Sequence, residues 1–539
     1  MGAKKNAAAP PGAPANGRNG TDGRAARQLL EPATGKRLAP LKEDSAASVT
    51  EAVRRARAAQ ADWALTPVRE RTRIARAMGR EIVARADEIA LTVSRATGKT
   101  RMDALSTDVF SGALLASYYA RIAPRMLATR TLRRSSILFF NKVSRLGRVP
   151  FGVIGIISPW NYPFAIPLHE VIPALLAGNG VILKVATLVQ PVGDAIAEVV
   201  RAAGFPRDLF HLAQVPGTRA ADAFFDAGID KLFFTGSTET GRSVMARAAR
   251  KLVPVVLELG GNDPMIVLDD ANLDRAAAGC LWAGMSNAGQ SCAAVERVYV
   301  EKGAYAGFRD RLVERVGKLR LGPDEDFDVD VGALASAEQK RKVQAVVSDA
   351  VKKGARVIAR SGESSGLFHP LLVLENVDGS MDAMCEEVFG PIIALQEVKD
   401  EAEAVERANE SRYGLSASVW SRSRSRARRV AGRLRVGSVT LNDHLMSHGM
   451  AETPWGGFGE SGIGRSHGAL GFDEMTQPRV IVDDTMHWAP RNMWWYPHDK
   501  SVYDGLKGAM EALHGRGLGK RIRGLGRMVR TFLRSFRRD

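Results

Sequence analysis

Cysteine is scarce in this chain, with three residues among 539: Cys280, Cys292 and Cys385. Three thiols cannot form a disulfide framework, and none of them has metal-ligand spacing with a histidine. The sequence therefore predicts a protein of the reducing cytoplasm that needs no metal and keeps Cys292 as a free thiol.

Long apolar runs are also missing. No run reaches the roughly 18 residues of a membrane-spanning helix, and the first residues lack the apolar core of a secretory signal. Hydrophobic residues make up 45% of the chain and charged residues 25%, which is ordinary for a globular protein. At this length we expect two or three domains.

Acidic residues are in the minority, and the net charge is +17. The excess is uneven, because residues 1–28 carry +4 and residues 516–539 carry +8, which leaves +5 for the 487 residues between them. The body of the protein is thus close to neutral, and this argues against nucleic acid as a partner.

The first third of the chain predicts a tail followed by helices. Residues 1–28 are rich in Ala, Pro, Gly and Asn, have no periodic pattern, and are predicted to be disordered. Between Ser45 and about Arg95, apolar residues recur at three- and four-residue spacing, as in helices. Ser45 and Thr50 are candidate N-caps, and Gly98 is a candidate stop.

From Gly152 onward, short apolar runs alternate with helical segments. The runs are VIGII, GVILKV, DKLFFTG, VVLEL and PMIVLD. Such alternation predicts βαβ units around a buried parallel sheet, and hence an α/β fold. Residues 136–150 have the composition of a strand pair.

One carboxylate and one thiol stand out in the middle of the chain. A sulfur nucleophile needs a neighbour that draws water onto the thioester it forms, and Glu258 could be that base for Cys292. Gly260, Gly261 and Gly289 bracket the pair, which favours close backbone approach over the alternative of a simply buried cysteine.

The strings LELGGNDP and NAGQSCAAVERV resemble the two signature segments of the aldehyde dehydrogenase superfamily, with Glu258 and Cys292 at the base and nucleophile positions. The resemblance runs from about Glu31 to about Val482. It implies two Rossmann-like parallel-sheet domains with a β oligomerisation flap, and a homodimer or homotetramer. The implied division is then as follows: cofactor-binding domain 29–135 and 151–257, oligomerisation strands 136–150 and 470–485, catalytic domain 258–469.

The segment SPWNYP resembles the oxyanion segment of the family, with Asn161 as the donor beside the backbone N–H of Cys292. The resemblance implies a thiohemiacetal and then a thioester on Cys292, hydrolysed by water that Glu258 activates. Because acylating relatives usually lack this glutamate, hydrolysis is expected rather than transfer to coenzyme A.

The segment KLFFTGSTETGR reads as strand, turn and helix, and the helix start would aim free N–H groups at a phosphate. By itself the GxxxxG spacing is equally typical of a plain turn. The resemblance implies NAD or NADP there, and Thr187, where many NAD-preferring members carry a glutamate, favours tolerance of NADP. The implied cofactor residues are Ser158, Trp160, Lys184, Thr187, Gly236, Ser237, Gly241, Leu259, Gly260, Glu387 and Phe389.

Substrate choice is less legible. The positions that line the aldehyde tunnel in family members are Tyr162, His169, Ser291, Ala293, His444 and Trp455. The aromatic side chains of Tyr162 and Trp455 favour an apolar aldehyde, of medium or long chain or aromatic. No arginine marks a carboxylate-binding pocket.

Residues 486–539 form a basic amphipathic extension beyond the resemblance. Three readings stand for residues 516–539: docking on an anionic membrane, on the protein's own body or a partner, or on nucleic acid. The glycines there would weaken an isolated helix. The first reading would place the protein peripherally on the inner membrane surface, and it leaves open a catalytically silent interaction protein on a dehydrogenase scaffold. The apolar stripe consists of Leu518, Ile522, Leu525, Val529, Phe532, Leu533 and Phe536.

Overall fold

A computed structural model describes residues 28–536 of the chain. The predicted disorder of residues 1–28 falls, apart from Gln28, outside the described residues. Within them, no helix is both long and apolar enough to cross a membrane.

The strands of the described residues alternate with helices over most of the chain. In chain order they are β1 Gln28–Leu30, β2 Arg37–Pro40, β3 Arg130–Thr131, β4 Lys142–Pro150, β5 Val153–Ser158, β6 Gly180–Val185, β7 Phe210–Leu212, β8 Lys231–Thr235, β9 Val255–Glu258, β10 Asp263–Val267, β11 Val295–Glu301, β12 Arg356–Ser361, β13 Leu371–Glu375, β14 Ile392–Val398, β15 Ser416–Trp420, β16 Ser438–Leu441, β17 Gly462–Ile463 and β18 Thr476–Asp484.

The helices carry the bounds that follow. They are α1 Ala46–Leu65, α2 Val68–Ala84, α3 Ala86–Thr97, α4 Arg101–Asp103, α5 Phe110–Met126, α6 Ala165–Ala177, α7 Gln190–Ala203, α8 Gly217–Ala227, α9 Thr238–Lys251, α10 Leu273–Met285, α11 Lys302–Val316, α12 Ala337–Lys352, α13 Asp382–Cys385, α14 Glu401–Asn409, α15 Arg424–Ala431, α16 Met446–Gly449, α17 Gly468–Asp473, α18 Lys500–His514 and α19 Leu518–Leu533.

The helix-end signals of the N-terminal arm are largely confirmed. The Ser45 side chain caps α1 by accepting from the N–H of Ser48, and Gly98 ends α3 in the left-handed region at φ +83°. Thr50 as an N-cap is wrong: it lies inside α1, where its hydroxyl bonds back to the carbonyl of Ala46.

Two parallel sheets form the centre of the molecule, which confirms the α/β class. The first has the order β17-β9-β8-β5-β6-β7, and the second has the order β12-β13-β14-β11-β10-β15-β16. In the first, the chain moves outward from β5 through β6 and β7 and then returns to the other side of β5 as β8. Ligands of such sheets bind outside the carboxyl ends of the strands at this reversal, here between β5 and β8.

Residues 136–150 contain one long strand, not the strand pair that their composition predicts. Residues 137–139 form a 3₁₀ turn, and β4 pairs instead with β18, more than 320 residues later in the chain. The register joins Lys142 to Asp484 and Pro150 to Thr476. Local composition cannot reveal a partner at that distance.

Candidate active site

Cys292 lies where two cavities meet. It lies in the loop that leads into β11, and it lines both a cavity of about 280 Å³ and a cavity of about 590 Å³. The smaller cavity is at the carboxyl ends of β5 and β8, where the sheet order places a ligand crevice. A molecule in each cavity would therefore face the sulfur from opposite sides.

The glycines around Cys292 permit close backbone approaches. A Cβ on Gly261 would collide with the carbonyl oxygen of Cys292, and a Cβ on Gly289, at φ +69°, would collide with the carbonyl of Gly390. A Cβ on Gly260 would lie 2.6 Å from Oε2 of Glu387. The bracket of glycines thus has a physical reason at all three positions.

Glu258 is the last residue of β9 and lines the same 280 Å³ cavity as Cys292. Burial raises the pKa of its carboxyl to about 8, against the opposing effect of Ser466 and Arg465. Behind it, β17 pairs closely with β9, because a Cβ on Gly462 would collide with the carbonyl of Leu257. The glycine-rich segment after Trp455 therefore supports the back of the base.

Burial raises the pKa of the Cys292 thiol well above its usual range, and the carboxylates of Glu387, Asp263 and Glu258 raise it further. The resting sulfur is thus a thiol. Its activation needs a proton acceptor within the site, and Glu258 shares its cavity.

Asn161 follows β5 in a turn that is fixed from beneath. Its carbonyl oxygen accepts from Nζ of Lys99 at 2.6 Å and from Nδ2 of Asn287 at 3.0 Å. Asn287 also donates to the carbonyl of Gln290 at 3.1 Å, so one side chain joins the turn of Asn161 to the loop of Cys292. The turn is 3% exposed at Asn161, whose side chain lines the smaller cavity.

Lys99 and Asp108 form a buried ion pair at 2.9 Å, with both side chains 0% exposed. Oδ1 of Asp108 accepts from the backbone N–H groups of Phe164 and Ala165 at 3.0 and 3.1 Å. Asp108 lies in a π-helical segment, Ala104–Val109, between α4 and α5, and π turns are frequent at functional sites. The pair holds both ends of the Asn161 turn, a role that no local sequence pattern indicates.

We expect Lys99→Met to leave the charge of Asp108 buried and unpaired, and to lower the free energy of unfolding by about 3–5 kcal/mol. Loss of the bond to Asn161 should also lower kcat. Urea unfolding and steady-state rates measure the two effects. Lys318→Met, which breaks an exposed pair with Glu314, is the control and should cost about 1 kcal/mol or less; equal losses for both variants would contradict the role of Lys99.

The smaller cavity has features suited to a dinucleotide. Helix α9 begins beside it, capped by Ser237, whose hydroxyl accepts from the N–H of Thr240, so its positive end faces the cavity. Gly236 lines the wall there, where a Cβ would lie 2.7 Å from the ring of Phe234. The wall thus leaves room for a phosphate close to the backbone.

The other end of this cavity carries Glu387 and Phe389. Oε1 of Glu387 accepts from the N–H of Gly261 at 3.0 Å, and burial raises its pKa to about 8. Phe389 packs edge-to-face on Trp160 with ring centroids 5.4 Å apart. The buried carboxylate of Glu296 accepts from the N–H groups of Val388 and Phe389 and fixes this segment.

Most of the predicted cofactor residues come together in this cavity. Trp160, Gly236, Ser237, Leu259, Gly260, Glu387 and Phe389 line it. Four lie outside its wall: Ser158, Lys184, Thr187 and Gly241. Gly241 packs against Leu259 from behind, and Lys184 is buried near the start of α8, with a pKa lowered to about 8 by that burial.

The larger cavity has a mostly apolar wall. Among the predicted substrate residues, Tyr162, Ser291 and Ala293 line it. His169, His444 and Trp455 are not part of its wall, which corrects their predicted place. His444 instead bonds the carbonyl of Ala293 at 3.0 Å, while His169 and Trp455 line a small chamber behind Glu258.

Several residues of the larger cavity were not predicted. Phe110, Leu114 and Tyr118 of α5 recur every four positions, a spacing that is typical of core packing, yet they face this cavity. Trp282 and Arg121 also line it, so an arginine is present although the sequence reading saw none. Only the fold shows that one face of α5 borders a cavity.

Three histidines from separate elements surround the small chamber of about 20 Å³. His169, His448 and His467 offer ring nitrogens within 4.8 Å of one another, and burial lowers the pKa of all three. The rings of His169 and His467 stack at 3.5 Å with an angle of 21°. Since the lone pairs of imidazole lie in the ring plane, stacked rings do not converge on one ion, and we assign this cluster to the wall behind Glu258.

A family model described as the aldehyde dehydrogenase family matches residues 20–481. A 4,4'-diapolycopene aldehyde oxidase from a Methylomonas species is 38% identical over 449 residues, which cover 83% of this chain and 84% of the relative. A protein of Mycolicibacterium smegmatis, provisionally named a succinate-semialdehyde dehydrogenase [NADP(+)], is 38% identical over 465 residues, covering 85% of this chain and 89% of the relative.

Among solved structures, the NAD+ complex of an aldehyde dehydrogenase from Bacillus cereus is similar to the whole body of this molecule. The TM-score is 0.81 at 31% sequence identity, over 85% of this chain and 93% of that chain. These matches end before the C-terminal helices, since the family model stops at residue 481.

Proposed function

This chain belongs to the aldehyde dehydrogenase family, and we propose that it oxidises an apolar aldehyde, of medium or long chain or aromatic, to the carboxylic acid. It is an NAD(P)-dependent enzyme. The observation that carries the proposal is the meeting of two cavities at the sulfur of Cys292, of which the larger, about 590 Å³, has a mostly apolar wall. The relative that acts on diapolycopene aldehyde supports this substrate class.

The proposed chemistry assigns one task to each catalytic residue. Cys292 Sγ attacks the carbonyl carbon, while the side-chain amide of Asn161 and the backbone N–H of Cys292 stabilise the oxyanion. NAD(P)+, when bound, supplies the hydride acceptor. The acyl group then remains on Sγ as a thioester, and Glu258 takes a proton from the water that hydrolyses it. The carboxylic acid leaves and the thiol is restored.

For the cofactor, we propose that the smaller cavity holds the nicotinamide end between Cys292 and Phe389, with the ribose near Glu387. NADP should be tolerated and preferred, because Thr187 carries no negative charge that would repel a 2′-phosphate. Lys184 and Thr187, at the end of β6 and just after it, are then the adenosine-side residues, which fits their place outside the nicotinamide cavity.

A second substrate class has one observation in its favour. Arg121 lines the larger cavity, and a relative bears a succinate-semialdehyde name. A guanidinium at this position could bind the carboxylate of a short acidic aldehyde. Arg121 is exposed, however, and lies among Phe110, Leu114 and Tyr118, so we rank an apolar chain first.

One kinetic panel tests both proposals. Short, aromatic, long-chain and carboxylated aldehydes are compared with NAD+ and NADP+ by absorbance of the reduced cofactor. We expect kcat/KM for long-chain or aromatic aldehydes to exceed that for succinate semialdehyde at least tenfold, with NADP+ the better cofactor.

The opposite order of substrates would favour the second class. In that case Arg121→Gln should raise KM for succinate semialdehyde about tenfold or more, while Arg125→Gln, one helical turn away, should not. Equal turnover with both cofactors would remove the argument from Thr187.

We propose that the protein is a cytoplasmic homodimer or homotetramer assembled through β18. This strand lies at the edge of the sheet β18-β4-β3, and its apolar residues Val480, Ile481 and Val482 are all more than half exposed. An exposed apolar edge is normally covered by another strand or chain. Analytical ultracentrifugation tests this, since a monomer at micromolar concentration would contradict it.

A further inference from the structure

The last two helices pack with their small residues inside and their large apolar residues outside. Helices α18 and α19 form an antiparallel hairpin in which Gly505 faces Thr531 and Gly508 faces Gly524. A Cβ on Gly508 would lie 2.6 Å from the carbonyl oxygen of Gly524. This close contact explains the glycines, which by helix propensity alone only weaken the segment.

The outer surface of the hairpin is apolar. On α19 the side chains of Leu518, Ile522, Leu525, Val529 and Leu533 are between 45% and 75% exposed. On α18 the exposed apolar residues are Tyr503, Leu506, Met510 and Leu513. In both helices the exposed set is rotated by roughly a third of a turn, in a sense that points it to the same side of an antiparallel pair.

This hairpin is attached firmly to the body at one end only. Arg534 is buried and donates to the carbonyl oxygens of Met493, Trp495 and Pro497. Phe532 packs edge-to-face on Phe140 at 5.5 Å between centroids. The rest of the stripe, from Leu518 to Val529, does not dock on the protein's own body, which was one of the readings of the sequence.

The charge of the hairpin is strongly positive. Residues 500–536 contain nine lysines and arginines against Asp504 and Glu511. On α19, the cations Arg523, Arg527 and Arg530 lie on the side of the helix away from the apolar stripe. A helix pair with small residues at its contact, an apolar outer face and a basic remainder has the features of a segment that lies in an anionic lipid interface.

We propose that the hairpin α18–α19 docks the protein on a bilayer surface that contains anionic phospholipids, with the exposed apolar face of both helices in the interfacial layer. Docking needs no aldehyde and does not depend on the proposed activity. Its consequence for an apolar substrate, which would partition into the same bilayer, does rest on the proposed function.

The test is co-sedimentation of the full-length protein with vesicles, without aldehyde or cofactor. We expect binding to phosphatidylcholine vesicles with about a third phosphatidylglycerol at 50 mM salt, and binding at least tenfold weaker to pure phosphatidylcholine or at 500 mM salt. Ile522→Gln/Val529→Gln should weaken binding to the anionic vesicles at least tenfold. The control Leu65→Gln/Val83→Gln, at two exposed apolar positions of α1 and α2, should bind like the unmodified protein.

Three outcomes would overturn the proposal. The first is no sedimentation with anionic vesicles at low salt, and the second is equal binding to pure phosphatidylcholine. The third is a double variant that binds lipid normally but lowers the oligomeric state in lipid-free ultracentrifugation, which would assign the face to a second copy of the chain. Turnover of a short water-soluble aldehyde by the double variant verifies that it is folded.

Discussion

Cys292→Ala should abolish aldehyde oxidation, with kcat reduced by at least about a thousandfold. No other thiol can replace it, because Cys280 is buried in the core of the second sheet and Cys385 is exposed beside Gly379. Reduced-cofactor absorbance with a good aldehyde substrate measures the loss. Binding of NADPH, followed by its fluorescence, should persist, since Cys292 only borders the smaller cavity.

The matched control is Cys385→Ala, which removes an exposed thiol and should keep full activity. Substantial turnover by the Cys292 variant, or an equal loss in the Cys385 variant, would show that the sulfur at the meeting of the cavities is not the nucleophile. This experiment also decides against a catalytically silent scaffold, a reading that the intact set Asn161, Glu258 and Cys292 already disfavours.

Glu258→Gln should slow hydrolysis of the thioester by about a hundredfold to ten-thousandfold. Acylation would suffer less if a second acceptor takes the thiol proton, so a rapid burst of reduced cofactor should precede a slow steady state. Because the pKa of Glu258 is raised to about 8, the base is largely protonated at pH 6. Steady-state rate should therefore rise about tenfold per pH unit below that value and level off above it.

This pH dependence should vanish in the Glu258→Gln variant. The control is Glu386→Gln, which removes an exposed carboxylate that pairs with Arg412 and should keep both rate and pH profile. A Glu258→Gln enzyme that hydrolyses its thioester at the normal rate would require a different base.

The parts of the fold that local chemistry determines could be predicted from the sequence. Ser45 and Gly98 mark helix ends by hydrogen bonding and by positive φ, and both were identified. The buried parallel strands β5, β6, β8, β9 and β10 were visible as apolar runs, because both faces of such strands are covered. Gly261 and Gly289 likewise signalled close approaches that the structure explains.

The parts that depend on distant contacts could not be predicted. Lys99 reads as a polar residue after a helix stop, yet it supports the turn of Asn161 through a partner 62 positions away. Phe110, Leu114 and Tyr118 have the spacing of core residues, although a cavity lies beside them. In both cases the decisive information is which other segment lies opposite, and periodicity does not encode it.

The C-terminal hairpin shows the same limit from another side. The amphipathic pattern of residues 516–539 was visible, but the glycines counted only as a cost to the helix. Once α18 and α19 are paired, those glycines become their contact surface. The exposed stripe then follows from packing, not from an unfolded segment.

The most direct test of the central claim is intact-protein and peptide mass spectrometry of the Glu258→Gln enzyme, mixed with NADP+ and a good aldehyde and quenched in acid within the burst. The account predicts one added acyl group, the mass of the aldehyde less two hydrogens, on the peptide that contains Cys292. An unmodified Cys292 peptide during a clear burst of reduced cofactor, or an acyl group on another residue, would contradict it.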